Sequence, residues 1–447
     1  MVETQYIDLF TQYRSEIDSH SVAGLNRHRD RAFDAFRKIG FPTSKLEDFL
    51  HSDIAAQFIP DYGMNLKRIP VKVNPYKAYK CNVPELAANL YFHVNDSFYD
   101  QSESKSNYPE NVFVGSLKTF AEEQPAIFDR YYGQAAQLDK NGVIAFNTMF
   151  VQDGFVVYVP DNTVLDHPIQ LINILTSNAD FLINRRLLII IGKNSQAKLL
   201  VCDHTVDNAK FLATQVTEIF AEESAHVDFY ELEESSKNTT RLAATFIHQA
   251  KNSNVLTNNL TLDCGYTRNN YHIKLDGEYA EATVGGMIIA GKEQHVDNFA
   301  FLDHAKPNCQ STQLFKYVLQ DESIGAFCGR ILVEKDAQKT MAYQTNNNLC
   351  TSPRTRMFSK PQLEIYADDV KCSHGLTTGQ LDEEALFYMQ ARGINKEDAK
   401  LLLMQAFTDD VLKLIRLDVL KERLLELIEK RFRGDSEARC GNCSICK

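Results

Sequence analysis

Two short stretches carry residue types that bind metals. "DDVKCSHG", residues 368–375, places Cys372 and His374 two positions apart behind a pair of aspartates, and "CGNCSIC" repeats cysteine at Cys440, Cys443 and Cys446. In an extended strand residues i and i+2 share a face, so Val370, Cys372 and His374 align while Lys371 and Ser373 point the other way. That geometry brings a thiolate and an imidazole to one ion. Iron or zinc normally takes four ligands, however, and this stretch supplies two. Either the others come from elsewhere in the fold or from a partner chain, or Cys372 is a core thiol beside Val370 and His374 is hydrogen-bonded at a strand end. The C-x-x-C-x-x-C tail has the spacing of the first three ligands of a bacterial ferredoxin cluster and lacks the fourth. It reads as a site for transient iron, sulfur or zinc, as a redox handle, or as a solvent-exposed tail with no special task.

The elements that must position these residues fall into four regions. Residues 1–150 are helical and mixed: "YIDLFTQYRSEI" and "NRHRDRAFDAFRKIGF" carry apolar positions three and four apart, the second stopping at Gly40 and Pro42. "SLKTFAEEQPAIFDRYYG" predicts one further helix closed by Gly133. Residues 151–379 change to short apolar runs bounded by turn residues, among them "GFVVYVP", "RRLLIIIG", "ATQVTEIFA", "ATVGGMIIAG" and "PQLEIYADDVKC", all read as strands. So long a succession exceeds what one sandwich or barrel absorbs, and no propeller-length repeat is evident, which leaves a parallel β-helix. "YQTNNNL" at 343–349 fits either an asparagine ladder between stacked strands or a polar turn. Residues 380–434 return to helical periodicity behind the caps Asp382 and Asn395, with "DDVLKLIRLDVLKERLLELIEKRF" presenting one apolar stripe. Residues 435–447 form the cysteine-rich tail.

Composition bounds the partners. The 447 residues are 44% hydrophobic and 24% charged, in the globular range. With 59 acidic against 48 basic residues the net charge is -11, which disfavours phosphate-dominated nucleic-acid binding. The longest apolar run, "LLIIIG" at 187–192, is far short of the roughly 20 residues of a membrane-crossing helix. The first twenty residues lack the pattern of a secretory signal, and the ten cysteines, mostly scattered singly, suit free thiols, so a cytoplasmic location is expected. "IGKNS" at 191–195 lacks the upstream glycine of a P-loop, so no nucleotide site is expected in this chain and any ATP used belongs to a partner. A carbohydrate-active β-helix enzyme would need paired carboxylates along one groove, which the sequence does not locate.

"GAFCGRILVEKDAQKTMAYQTNNNL" and "PQLEIYADDVKCSHGLTTGQLDEEALFYMQARGI" resemble the SufB/SufD family of iron–sulfur cluster assembly proteins, and the resemblance continues more loosely through "GFVVYVPDNTVLDHPIQL" and "FPTSKLEDF". Length, a simple N-terminal region and the histidine of "CSHG" place the chain nearer SufD than SufB. The resemblance implies a right-handed parallel β-helix between helical N- and C-terminal regions, and a scaffold rather than an enzyme. It implies pairing with SufB through the β-helices, docking of the ATPase SufC on the C-terminal helices, and an iron–sulfur cluster or iron held in transit at the SufB interface. It makes His374, with Cys372 second, the ligand completed by SufB, and Phe387, Tyr388, Arg392 and the apolar face of 399–415 the SufC surface. Reduced flavin on the complex and a homodimer of the chain alone are further expectations. The tail thiols are not part of the family pattern. A structural adaptor of an ATPase, with His374 not a ligand, is the alternative.

Overall fold

The computed structural model describes residues 2–70, 74–78, 89–99 and 108–434. The thiols of Cys81, Cys440, Cys443 and Cys446 lie outside these residues. The middle of the chain winds as a parallel β-helix whose coils each give one strand to two sheets, of ten and nine strands. From Phe155 onward, hydrogen-bonded neighbours in either sheet are alternate strands in the chain, as coiling requires. Glu281, Gln310, Met341 and Lys371 are successive register partners, so the coils return after 29, 31 and 30 residues. The strands are parallel except where Leu90–Val94 meets Ser97–Phe98 and Phe113–Ser116 meets Phe155–Val159. Both Leu90–Val94 and Phe113–Ser116 precede residue 151 yet join the β-helix sheets.

One corner of each coil is turned by a residue in the left-handed region: Asn162, Asn194, Ser224, Asn252, Tyr279, Asn308 and Lys339. Asparagine tolerates this conformation best among non-glycine residues. Each corner N–H donates to a carbonyl of the following coil, Asn194 to Glu223, Ser224 to Lys251, Asn308 to Gln338 and Lys339 to Asp369. These bonds satisfy backbone groups that a turn would otherwise leave to solvent.

Inward-facing apolar side chains, such as Leu187, Ile189, Val201, Ile219, Val227, Ile273, Ile288 and Phe315, fill most of the bore. Each such burial is worth about 1.5–3 kcal/mol. One section is polar instead. Arg241 bonds Asp203 and Glu231 at 2.8 Å each, Arg185 reaches Asp203 at 2.7 Å, and Tyr271 donates to Glu231 at 2.6 Å. All five side chains are buried.

Helices cover the outer faces. Val2–Ser19, Arg29–Ile39 and Gly142–Phe150 pack Phe10, Phe36 and Phe146 against Leu182, Leu212 and Leu242 of the nine-stranded sheet. Gly40 ends the second of these helices in the left-handed region (φ 62°). The single helix expected before Gly133 is two, Leu117–Glu123 and Pro125–Tyr131, because Gln124 precedes a proline and leaves the helical region. At the other end Lys396–Leu412 and Asp418–Phe432 press Met404, Val411, Leu424 and Ile428 onto Leu256, Met287 and Val318 of the ten-stranded sheet. The apolar stripe from 409 onward is thus broken at 413–417, where Arg416 turns to bond Asp228 at 3.0 Å and donates its backbone N–H to the Tyr230 hydroxyl oxygen. Among the described residues no helix is long and apolar enough to cross a membrane.

Candidate functional site

"DDVKCSHG" spans the last corner and the last strand. The strand expected to run from Pro361 through Cys372 is two, Arg356–Ile365 and Lys371–Gly379, with the aspartates between them. Asp369 is a corner residue: its carbonyl accepts from the Lys339 N–H at 2.6 Å and its own N–H donates to Gln338 Oε1 at 2.9 Å. The aspartates therefore close a coil. Val370 lies just before the strand, packed with Cys372 against the bore.

Lys371–Gly379 pairs on one side with Met341–Cys350, and it is the end strand of the ten-stranded sheet. Cys372, His374 and Leu376 are register partners of the buried Ala342, Gln344 and Asn346, so all three sit on the inner face of the final coil. Among the described residues no further coil lies over them. Cys372 is half-buried, and burial pushes its thiol above the usual value, so it is protonated at neutral pH. His374 is exposed, as are Leu376 (43%) and, at the end of the companion strand and its corner, Ile365 and Tyr366 (63%). The arrangement is one imidazole and one thiol at the end of the β-helix that also exposes apolar side chains and, among the described residues, unpaired strand edges. Among the described residues no group of three or more His, Cys, Asp or Glu side chains converges on a metal position.

The remaining motifs are placed as follows. Glu383–Ala391 buries none of its residues; Phe387 is 74% exposed, Tyr388 55%, and Arg392 stacks over the Tyr388 ring at 4.2 Å. Asp382 caps this helix through the N–H groups of Glu384 and Ala385. The apolar face of 399–415 is different: Leu401, Met404, Val411, Leu412 and Ile415 are buried, most of them against the chain's own sheet, which leaves the 383–392 helix as the uncovered surface of the two. In "YQTNNNL" the asparagines are strand residues. Asn346 and Asn348 bond each other inside the bore, and Asn348 also donates to the Thr377 carbonyl of the last coil. Cys202, Cys264 and Cys309 are buried and Cys328 and Cys350 half-buried; burial pushes Cys309 and Cys328 up to about 11.

"FPTSKLEDF" links the N-terminal region to the final coils. Asp48 bonds Arg330 at 2.7 Å, its carbonyl accepts from Arg268 at 2.7 Å, and Glu47 pairs with Lys360. Beside it lies a cleft of about 560 Å³ floored by Phe246, His272 and Phe301. Burial holds His272 neutral, at about 4, and its ring stacks on Phe246 at 4.9 Å.

Residues 174–407 match the family described as SUF system FeS cluster assembly, SufBD core domain, and residues 1–171 match the SufBD protein N-terminal region. The chain belongs to the SufBD family. A SufBD family protein of Synechocystis is 27% identical over 417 residues, 91% of each chain. SufD of Escherichia coli is 33% identical over 241 residues, 53% of this chain and 57% of that one. SufD of Bacillus subtilis is 24% identical over 329 residues, covering 72% and 75%. Within the SufBD family the likeness is to SufD, and the parallel β-helix flanked by helices is the architecture expected for it. Sequence reasoning missed the buried Arg241 network, because a charged residue inside a strand pattern reads as one facing solvent.

Proposed function

We propose that this SufBD family protein acts as a SufD-like scaffold in iron–sulfur cluster assembly, paired with SufB and served by the ATPase SufC. The observation that carries this reading is the open final coil, where His374 is presented among exposed apolar side chains and unpaired strand edges. An edge of this kind is a template for another chain's strands, and soluble proteins rarely leave one bare. His374, with Cys372 behind it, is then half of a ligand set whose other half comes from SufB. Neutral imidazole is a suitable ligand for iron in transit, and two ligands on one chain explain why four do not converge here. The helix Glu383–Ala391, with Phe387, Tyr388 and Arg392, is the SufC surface: it is capped and ordered yet buries nothing against its own chain. Aromatic residues and arginine are the types enriched at protein interfaces.

The test is co-expression with SufB and SufC, scoring co-purification and iron–sulfur absorbance for the wild type and for His374→Ala. The reading expects wild-type complexes that carry a cluster and mutant complexes that form but do not. A wild-type chain that binds neither partner sinks it. Normal clusters on His374→Ala would leave an adaptor whose own residues hold no metal.

A further inference from the structure

The coil beneath His374 holds an unmet demand for hydrogen bonds. Gln344 is the register partner of His374, and Gln313 is the register partner of Gln344 one coil further in. Both glutamines are buried, and among the described residues all four of their side-chain amide atoms lack a hydrogen-bond partner. Buried amide groups are nearly always paired, because leaving one unpaired forfeits its hydration without return. Their neighbours make the contrast. Asn346 and Asn348, on the same face of the same strand, are bonded to each other and to Phe315, Ser359 and Thr377. The glutamine pair is the exception in this coil, and it lies directly under the imidazole.

The opposite sheet makes room for it. A methyl group added at Gly329 would collide with the amide nitrogen and amide carbon of Gln344. The Gln344 side chain therefore extends across the bore, and His374 is the next side chain in the same column. A neutral imidazole offers a lone pair on one nitrogen only when the other carries the proton, and the acceptor bonded to that proton decides which nitrogen it is.

We infer that Gln344 is the positioning residue for His374. Its Oε1 accepts, directly or through one water, from the ring N–H turned into the β-helix, so the other ring nitrogen presents its lone pair at the open end. The Gln344 amide N–H groups in turn donate toward Gln313 Oε1, which orders the column and employs three of the four unpaired atoms. The inference rests on His374 as a ligand, but it is tested on the chain alone, without iron or partners.

The experiment is long-range ¹H–¹⁵N correlation on the full chain labelled with ¹⁵N-histidine, at pH 8, where the neutral tautomers are read from the ring-nitrogen shifts. The His374 signals are those absent from His374→Ala. The wild type is expected to show one dominant tautomer. Gln344→Met, which keeps the volume and removes the acceptor, is expected to lower the tautomer ratio roughly fivefold or more, the worth of one ordinary hydrogen bond. The other eleven of the 12 imidazoles, unmoved, report an intact fold. If Gln344→Met fails to fold, Gly329→Ala carries the same reading, since its methyl group displaces the amide without altering it. An unchanged His374 ratio in the folded variant overturns the inference. A changed ratio alongside normal cluster assembly by His374→Ala would instead overturn the ligand role and leave the positioning intact.

Discussion

Arg241 and Asp203 meet at 2.8 Å inside the β-helix, on strands of opposite sheets, and so tie the two walls of the bore together. Arg241 also bonds Glu231 at 2.8 Å, and the two carboxylates hold its guanidinium charged in spite of complete burial. Replacing it by leucine would leave Glu231 in the interior without this counter-ion and Asp203 with Arg185 alone. The expected loss is about 3–5 kcal/mol, read from the denaturant midpoint at neutral pH. A loss under about 1 kcal/mol would mean that water enters this section of the bore.

A neighbouring acid gives the network a pH dependence. Burial raises Glu233 to about 7, against the attraction of Arg241. With the folded value above the unfolded one, the contribution to stability is complete below the unfolded value of about 4.5 and is lost as pH rises toward 7. Glu233→Gln has no proton to lose there. The stability of the wild type relative to Glu233→Gln should therefore fall between about pH 4.5 and 7, by on the order of 3 kcal/mol at most. Parallel unfolding curves across that range would refute the raised value.

His374 is exposed, and the only support it is inferred to give its own chain is the single hydrogen bond to Gln344. His374→Ala should change the unfolding free energy by no more than about 1.5 kcal/mol, the upper worth of one ordinary hydrogen bond, while iron retention by the complex with SufB falls to background. Cys372→Ala removes a half-buried core contact and should cost stability as well. A His374→Ala protein that melts well below the wild type would show that its effect on clusters is indirect.

The 383–391 helix allows a similar separation. Phe387→Ala with Tyr388→Ala should leave the melting temperature of the chain within about 2 °C, because neither ring is buried. Co-purification of SufC should fall at least tenfold, as the loss of two aromatic anchors implies. Full retention of SufC would move its docking surface elsewhere.

How much of this could be read in the sequence depends on where identity is constrained. The strands were legible as apolar runs bounded by turn residues, such as "RRLLIIIG" and "ATVGGMIIAG", which fall in Phe181–Ile191 and Glu281–Ala290. The coil repeat was not, although its period is nearly constant. What repeats is a backbone conformation at the corner, held by asparagine at 162, 194, 252 and 308 but by Ser224, Tyr279 and Lys339 elsewhere. Hydrogen bonds to the next coil fix that conformation whatever the side chain, so the period leaves little trace in residue types. His374 and Cys372 were legible from spacing. Gln344 was not, because a glutamine in a strand is unremarkable until its amide is found buried and unpaired. The internal break at 413–417 was hidden by leucines and isoleucines on both sides that continue one stripe while packing in two helices.

The stacked corners carry one more implication. Each coil is built on the one before it by the same backbone bonds, and the cross-section at residues 356–379 matches that one turn earlier. The fold thus has no intrinsic length. Inserting or removing 29 to 31 residues between two corners would shift the rim by one strand spacing and leave every other coil as it is. The distance from the N-terminal helices to His374 is therefore set in discrete steps, as on a ruler whose divisions are whole coils.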